Sequence, residues 1–381
     1  MGSVSLDVNG IVSDNGDIHV PATGSAPAAV LTGPYGDAYT IQDLPIPTPG
    51  IHDALIQLEY SGVCHGDKYA RDGGGPAPKD PVRPLIGGHE GVGRIVALGS
   101  GGGSDGEGSN AFRVGDVVGV PWRSQVCGTC QACAAGAENH CFDQKVTGSH
   151  RDGTFQRYIS FPTSQLVLIP PEVSLPSVCP ILCAGVTAYS ALKRMDPKPG
   201  RWCTIVGAAG GLGHLAIQYA KAMDLKVLAI DGGSPEKEDF CRKMGADAFV
   251  DFSKPGLVET VVAKTDGGAD YVLVLSPHQS SYDAAGEYAR FGAQIMAIGI
   301  GNLHMSLRPL LKKDLIVRSN QTGSKADMKE ALDFLASGRV VPELEMVDLK
   351  DINEALDRIS QGKVMGKLVA NLAGSKNASR L

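Results

Sequence analysis

Apolar and polar residues alternate over short segments in the first half of the chain. Ala54–Tyr60 shows this alternation, and Val114–Val120 is a second short strand-like segment. The pattern predicts strands with one buried face. We therefore expect this part of the chain to be mainly β, with irregular loops, and residues 99–110, rich in Gly and Ser, to form a surface loop.

From about residue 184 the pattern becomes a series of apolar runs separated by helical segments. Trp202–Val206 and Lys226–Asp231 are apolar runs, and His214–Met223 between them has helical periodicity without Gly or Pro. Further apolar runs follow at 248–252, 271–275 and 293–300. Strands that alternate with helices predict βαβ units around a parallel sheet, so the expected fold class is α/β.

Composition narrows the possible partners. The 381 residues, 43% hydrophobic and 20% charged, are enough for two globular domains. The net charge is −6 and there is no basic block, which argues against nucleic acid as a partner. The sequence shows no signal-peptide pattern and no apolar run long enough to span a bilayer, so no membrane partner is expected.

Four cysteines have the spacing C-x2-C-x2-C-x7-C: Cys127, Cys130, Cys133 and Cys141. Four thiolates so close together predict a tetrahedral Zn²⁺ site in which every coordination position is filled. Such a site holds a loop in place and leaves no position for substrate, so zinc chemistry would require a second site. Thiols that must stay reduced to bind metal indicate a cytoplasmic location.

A glycine-rich turn joins the first apolar run to the helical segment. It contains Gly207, Gly210, Gly211, Leu212 and Gly213. Asp231 follows at the end of the second run, where a carboxylate can bind the adenosine ribose and repel a 2′-phosphate. Strand, glycine loop, helix, strand and acid together predict an NAD(H) site. The alternative is a purely structural glycine turn.

Other cysteines and histidines are scattered along the chain. Cys64 follows a predicted strand, His89 is flanked by glycines, and Cys183 follows an apolar run. Separations of 25 and 94 residues do not by themselves join the three into one metal site. A lone buried cysteine is more often a small apolar side chain than a ligand, so both interpretations stay open on spacing alone.

Six segments, in this order, resemble the zinc-dependent medium-chain alcohol dehydrogenases, most closely the yeast-type enzymes. They are Gly62–His65, Gly87–Gly91, the four-cysteine segment, Pro180–Gly185, Gly207–Gly213 and Ala229–Gly233. The resemblance implies a GroES-like β-rich catalytic domain with an inserted doubly wound Rossmann domain. The implied bounds are 28–183 and 322–381 for the catalytic domain, 184–321 for the NAD-binding domain, and 1–27 for a loose extension. It also implies a homo-oligomer, dimer or tetramer, formed through the nucleotide-binding domains.

The resemblance implies a second zinc site. Cys64, His89 and Cys183 would bind a catalytic Zn²⁺, whose open fourth position takes the substrate oxygen. Glu90 would lie behind the metal as an alternate ligand, and Asp67 would orient the ligand histidine. With the four-cysteine site, the chain would hold two Zn²⁺ ions.

The resemblance also implies cofactor and substrate contacts. His65 and Lys367 match residues that bind the pyrophosphate, and Thr187 matches one beside the nicotinamide. The lysine that usually assists the ribose-binding acid stands one position later, at Lys237, which weakens one contact without reversing the preference for NAD. Trp122 keeps the aromatic residue of the substrate pocket.

The chain departs from the family where protons are transferred. The family has Thr or Ser at the position of Gly66, and its hydroxyl starts a proton relay to a histidine whose position is Tyr69 here. General acid–base help contributes roughly 10²–10⁴ in rate, so simple alcohol oxidation is expected to be slow unless water or Tyr69 substitutes.

A second departure concerns the substrate. The aromatic residues that narrow the yeast-type pocket are absent from residues 71–76, which include Gly75, and this leaves volume for a substrate larger than ethanol. The leading interpretation is a zinc- and NAD(H)-dependent enzyme that interconverts an alcohol with an aldehyde or ketone. The alternatives are a biosynthetic reductase that adds hydride to a conjugated C=C, and a catalytically weak binding protein.

Overall fold

A computed structural model describes residues 24–75, 77–101 and 112–374, which fold as two compact units. The first unit comprises the described residues up to Leu182, Met346–Gln361 and those from Leu368. The second comprises Cys183–Glu345 and Gly362–Lys367. Most of the expected extension, and residues 102–110 of the expected surface loop, lie outside the described residues.

Strands and helices are numbered along the described chain. The strands are β1 (Ser25–Leu31), β2 (Thr40–Pro45), β3 (Asp53–Val63), β4 (Leu85–Ile86), β5 (Gly91–Leu98), β6 (Val117–Val120), β7 (Arg123–Gln125), β8 (Lys145–Val146), β9 (Tyr158–Pro162), β10 (Val167–Leu168), β11 (Trp202–Val206), β12 (Lys226–Asp231), β13 (Ala248–Asp251), β14 (Ala269–Val274), β15 (Ala289–Ala297), β16 (Ile316–Ser319), β17 (Leu344–Asp348) and β18 (Lys367–Asn371). The α-helices are α1 (His65–Asp72), α2 (Gln131–Ala134), α3 (Leu175–Val178), α4 (Ala184–Lys193), α5 (Gly213–Ala222), α6 (Pro235–Lys243), α7 (Leu257–Lys264), α8 (Gln279–Tyr288), α9 (Leu307–Lys313), α10 (Lys325–Ala336) and α11 (Ile352–Ser360). Short 3-10 helices lie at Glu138–His140, Thr163–Gln165, Cys179–Leu182 and Leu349–Asp351.

The first unit is β-rich, as the alternating pattern predicted. Its main sheet has the order β10-β6-β5-β3-β18-β17, with β9 also paired to β3. Ile56, Leu58 and Ile95 on β3 and β5 are fully buried, because every second side chain of a strand faces the same side of the sheet. Smaller sheets, β2-β1-β4 and β7-β8, complete the unit.

The second unit contains a six-stranded sheet in the order β13-β12-β11-β14-β15-β16. All its neighbouring strands are parallel, which confirms the predicted α/β class and doubly wound topology. Strands β11 and β12 have the predicted bounds. Because parallel strands end at the same edge, the glycine turn after β11 and the acid that ends β12 are brought to one side of the sheet.

Two predicted boundaries differ from the observed units. Strand β1 begins at Ser25, so the last residues of the expected loose extension pair with β2 instead. The second unit continues to Glu345 instead of ending at residue 321, because α10 packs on α4 and α5. Ser190 Oγ donates to Asp327 Oδ2 at 3.2 Å, and the Tyr219 hydroxyl donates to the Ala331 carbonyl at 3.2 Å.

Among the described residues, no single helix is both long and apolar enough to cross a membrane. One bent pair, Leu175–Leu182 with Ala184–Lys193, meets the criterion of length and composition only when the two helices are taken together.

Candidate active site

The turn from Cys64 to Asp67 begins helix α1 and is closed by two hydrogen bonds. The Asp67 N–H donates to the Cys64 carbonyl at 3.1 Å, and the Cys64 N–H donates to Asp67 Oδ2 at 2.8 Å. A carboxylate at this position satisfies a backbone N–H that the start of a helix leaves without a partner. The turn therefore fixes the Asp67 carboxylate and holds Cys64 at the helix N-terminus.

His89 lies between the Gly87-Gly88 pair and β5, and it is buried. Its Nδ1 lies 2.7 Å from Asp67 Oδ1. A carboxylate on this side of the ring keeps the proton on Nδ1 and leaves the lone pair on Nε2. Nε2 itself is buried and makes no hydrogen bond within the described part of the chain.

The protonation of His89 reflects the same contacts. Burial lowers the pKa of His89, but the charges of Asp67 and Cys64 raise it, and the net result lies well above the ordinary value. A proton therefore competes with a metal ion for Nε2.

Three residues that spacing alone could not join lie together with Glu90. The donor atoms of Cys64, His89, Glu90 and Cys183 are all within 4.8 Å of one another, and all four residues are buried. Cys183 is the first residue of the second unit and is bonded directly to Leu182 of the first. Two thiols and an imidazole are donors that suit Zn²⁺, and three protein ligands are the number found at catalytic sites.

The carboxylate of Glu90 lies against the backbone of β3. A Cβ on Gly62 would overlap Glu90 Oε2, so the carboxylate can occupy this position only when residue 62 is glycine. The Gly62 N–H donates to the Glu90 carbonyl at 2.9 Å, which fixes the two segments to each other. Glu90 is thus held as an additional oxygen donor beside the thiols and the imidazole.

Tyr69 lies one helical turn after His65, and the two ring centroids are 5.2 Å apart. Burial, and then the charge of Cys64, raise the pKa of Tyr69, so its hydroxyl stays protonated at neutral pH. A Cβ on Gly74 would lie 3.2 Å from Tyr69 Cδ1, and one on Gly73 would lie 2.8 Å from the Tyr35 ring. Gly73 and Gly74 therefore do not leave an empty space, because the rings of Tyr35 and Tyr69 occupy part of it.

Two of the predicted pocket residues have other roles in the fold. Gly75 has a φ of 48°, in the left-handed region that favours glycine, so the backbone conformation itself restricts this position. Trp122 is buried between β6 and β7. Whether either lines a substrate pocket stays a prediction.

The four cysteines of the predicted structural site converge. Cys141 Sγ lies 3.6 Å and Cys133 Sγ 3.9 Å from Cys127 Sγ, and all four donor atoms lie within 4.8 Å of one another. A tetrahedral ion with Zn–S bonds of about 2.3 Å separates its sulfurs by about 3.8 Å. Backbone N–H groups of Thr129 and Cys130 lower the pKa of Cys127 to about 6, which favours the thiolate that binds metal.

Asp231 lies at the end of β12 and accepts three hydrogen bonds. Oδ2 accepts from the Ala209 N–H at 2.9 Å, and Oδ1 accepts from the Gly232 N–H at 2.7 Å. Lys237 Nζ lies 2.8 Å from Oδ1. Lys237 stands one position later than the lysine that the family usually carries. It still reaches the Asp231 carboxylate, because Lys237 lies in the first turn of α6.

The glycine turn is closely packed. A Cβ on Gly213 would overlap the carbonyls of Gly207 and Ala208, so glycine is required where α5 meets the turn. The buried side chain of Lys367 passes over the turn, since a Cβ on Gly211 would lie 3.3 Å from Lys367 Cδ. A helix N-terminus with a nearby cation is an arrangement that binds phosphate.

Thr187 and His65 are the remaining residues with a predicted cofactor contact. Thr187 lies in the first turns of α4, where its Oγ1 donates to the Cys183 carbonyl at 2.6 Å. His65 belongs to the first unit, and its approach to the pyrophosphate stays a prediction.

Tyr39 is a buried residue that the pattern analysis did not single out. Its hydroxyl has no hydrogen-bond partner within the described residues, and its ring lies where a Cβ on Gly87 would be. The Tyr39 N–H donates to Asn353 Oδ1 at 2.9 Å, which ties it to α11. No local signal distinguishes a tyrosine of this kind, because its partners are far away in the sequence.

Comparisons with known proteins agree with this geometry. Residues 50–171 match the model of the alcohol dehydrogenase GroES-like domain, and residues 211–337 match that of the zinc-binding dehydrogenases. An alcohol dehydrogenase from Schizosaccharomyces pombe is 37% identical over 336 residues, which cover 87% of this chain and 93% of that protein.

Solved structures show the same fold. The acetophenone reductase from Geotrichum candidum, in complex with NAD, is 26% identical with a TM-score of 0.79, covering 93% of this chain and 98% of that one. A cinnamyl alcohol dehydrogenase from Sorghum bicolor is 27% identical with a TM-score of 0.80, covering 92% and 99%. Matches in both halves of the chain, together with its two clusters of ligand residues, show that the protein belongs to the zinc-dependent medium-chain alcohol dehydrogenases, a family of oxidoreductases.

Proposed function

We propose that this protein is a zinc- and NAD(H)-dependent oxidoreductase that interconverts an alcohol with an aldehyde or ketone. The observation that carries the proposal is the buried group of Cys64, His89 and Cys183, whose donor atoms lie within 4.8 Å of one another. The names of the similar proteins, which are alcohol dehydrogenases and an acetophenone reductase, support the same chemistry.

In this proposal Cys64, His89 Nε2 and Cys183 hold a zinc ion. The chemistry that zinc supplies when bound is Lewis-acid stabilisation of the substrate oxygen. Asp67 keeps His89 in the tautomer that binds metal, and Glu90 serves as an alternate ligand.

The four-cysteine cluster holds a second, structural zinc ion in the same proposal. The cysteines are free of disulfides within the described chain, and free thiols support the cytoplasm as the location.

Asp231 binds the adenosine ribose of NAD(H) in this account, with Lys237 beside it. The glycine turn and Lys367 bind the pyrophosphate together with His65, and Thr187 lies beside the nicotinamide. The observation that supports the preference for NAD(H) is the Asp231 carboxylate, because a negative charge at this position repels a 2′-phosphate.

Tyr69 takes the place of the missing relay. The raised pKa of Tyr69 keeps its hydroxyl protonated at neutral pH, so the hydroxyl can donate a hydrogen bond and, as a weak acid, a proton to the oxygen of a carbonyl that is being reduced. The substrate we propose is larger than ethanol.

The activity assay is NADH oxidation by the zinc-loaded protein with aldehydes of increasing size, ketones and enones. We expect turnover with larger aldehydes or ketones, and loss of this turnover after removal of zinc. Turnover of enones alone would favour a reductase of conjugated C=C bonds. Tight NADH binding without any turnover would favour a catalytically weak binding protein.

We further propose a homo-oligomer formed through the second unit. Within the described part of the chain, β16 is the last strand of its sheet, so no further strand pairs with its outer edge. Exposed apolar side chains occur on β16 and on α9, at Ile316, Leu307 and Leu311. An exposed edge strand beside apolar side chains is a typical surface for pairing with a second copy.

Ile316→Lys is expected to shift the molar mass in solution toward the monomer, because a charge would be buried at the interface. Light scattering coupled to size-exclusion chromatography measures this shift. Ile51→Lys, at an exposed position of the first unit, is the matched control and should leave the mass unchanged. An unchanged mass for Ile316→Lys would contradict this interface.

A further inference from the structure

The ring of His89 lies close to the backbone of Gly66. A Cβ built on Gly66 would lie 2.9 Å from His89 Cε1 and 3.4 Å from Nε2. The first distance is shorter than real Cβ contacts allow, so any residue larger than glycine would require the ring or the helix to move. This is the position at which the resemblance to the family predicts Thr or Ser, and hence a hydroxyl.

The ring has little freedom to move away. His89 is 2% exposed, and its Nδ1 is held 2.7 Å from Asp67 Oδ1. A rotation that relieved the contact with a Cβ would turn Nε2, the atom proposed to bind the metal, away from its present direction.

Helix α1 has equally little freedom. Gly66 lies in the turn that joins Cys64 to Asp67, which is closed by hydrogen bonds of 2.8 Å and 3.1 Å. A shift of Gly66 would therefore displace either Cys64, a proposed ligand, or Asp67, which orients His89. Overpacking in such a place is costly because no neighbour can give way independently.

We propose that Gly66 is a positioning residue for His89: the absence of a side chain sets the place of the ring and hence the direction of Nε2. The proposal rests on the proposed zinc site. Adding a side chain at position 66 to supply the relay hydroxyl would therefore also disturb His89.

Gly66→Ala and Gly66→Ser separate the two possible roles of this position. Both add a Cβ, but only serine adds a hydroxyl. We expect both variants to release zinc from the buried site roughly 10–100-fold faster than the wild type, as found when residues that orient metal ligands are altered. We expect serine not to raise carbonyl reduction above that of the wild type.

The measurement is zinc release to a chromogenic chelator, with thermal unfolding recorded alongside. Release from the four-cysteine cluster is the internal reference and should not change. Gly50→Ala is the matched control, because Gly50 is exposed and the nearest atom to its added Cβ is the end of the Asp53 side chain, at 3.2 Å.

Unchanged zinc release from both Gly66 variants overturns this proposal. Faster reduction by Gly66→Ser with unchanged zinc release also overturns it, because the hydroxyl alone would then be what the site lacks. A wild type that binds zinc only at the four cysteines overturns the proposed function instead, and the zinc stoichiometry of the wild type distinguishes the two failures.

Discussion

His89→Ala is expected to lower kcat/KM for carbonyl reduction about 10³-fold or more. Lewis-acid stabilisation of the substrate oxygen contributes several kcal/mol, and each 1.36 kcal/mol corresponds to about tenfold in rate. The substitution removes one of three protein ligands, so the measured zinc content should fall toward one ion per chain. The measurements are NADH oxidation with the best carbonyl substrate and zinc analysis of the same sample.

The loss of activity in His89→Ala could also arise from a loss of folding, so thermal stability is measured with it. Removing the imidazole leaves the buried Asp67 carboxylate without its 2.7 Å partner, so some loss of thermal stability is expected. Asp67→Asn is a milder companion that keeps the shape of the side chain. His52→Ala, at an exposed position of the same unit, should retain activity and zinc. Full activity of His89→Ala with one zinc ion fewer would contradict the proposed role.

Local sequence patterns predicted the features whose interacting residues lie close together in the sequence. Strands β11 and β12 and the convergence of the four cysteines follow from periodicity and close spacing. In these cases the interacting groups are near each other in the sequence, so the pattern contains most of the information.

Contacts between distant segments could not be predicted in the same way. Cys64, His89 and Cys183 were joined first by resemblance to a family, because only the folded sheet brings them within 4.8 Å. Gly66 lies close to the His89 ring because of how that ring is oriented. The orientation is held by Asp67, which lies in a different segment of the sequence from His89.

The glycines after helix α1 illustrate a second limit. Their sequence indicated an enlarged pocket, but the rings of Tyr35 and Tyr69 occupy part of the space beside them. A glycine in a sequence shows that a side chain is absent, whereas the structure shows what lies in its place.

Asp231→Ser is expected to lower the ratio of kcat/KM for NADH over that for NADPH by about 10–150-fold. Hydrogen bonds to a charged group contribute about 1.5–3 kcal/mol, which corresponds to this range. The loss of negative charge also removes the repulsion of a 2′-phosphate and leaves Lys237 available to it. Steady-state kinetics with both cofactors measure the ratio.

Asp251→Asn is the matched control, because Asp251 ends the neighbouring strand β13 and bonds Ser253 instead of the glycine turn. It should leave the ratio nearly unchanged. An unaltered ratio in Asp231→Ser, with normal thermal stability, would show that this carboxylate does not select the cofactor.

The most direct test of the central claim is the visible absorption spectrum of protein whose buried site holds Co²⁺ in place of zinc. An ion held by two cysteines and a histidine has an open position for the substrate oxygen. We predict that an unreactive amide, added with NADH as a carbonyl analogue, shifts the cobalt bands, and that Cys64→Ser abolishes the shift. A cobalt spectrum that does not respond to the amide in the wild type would contradict the account.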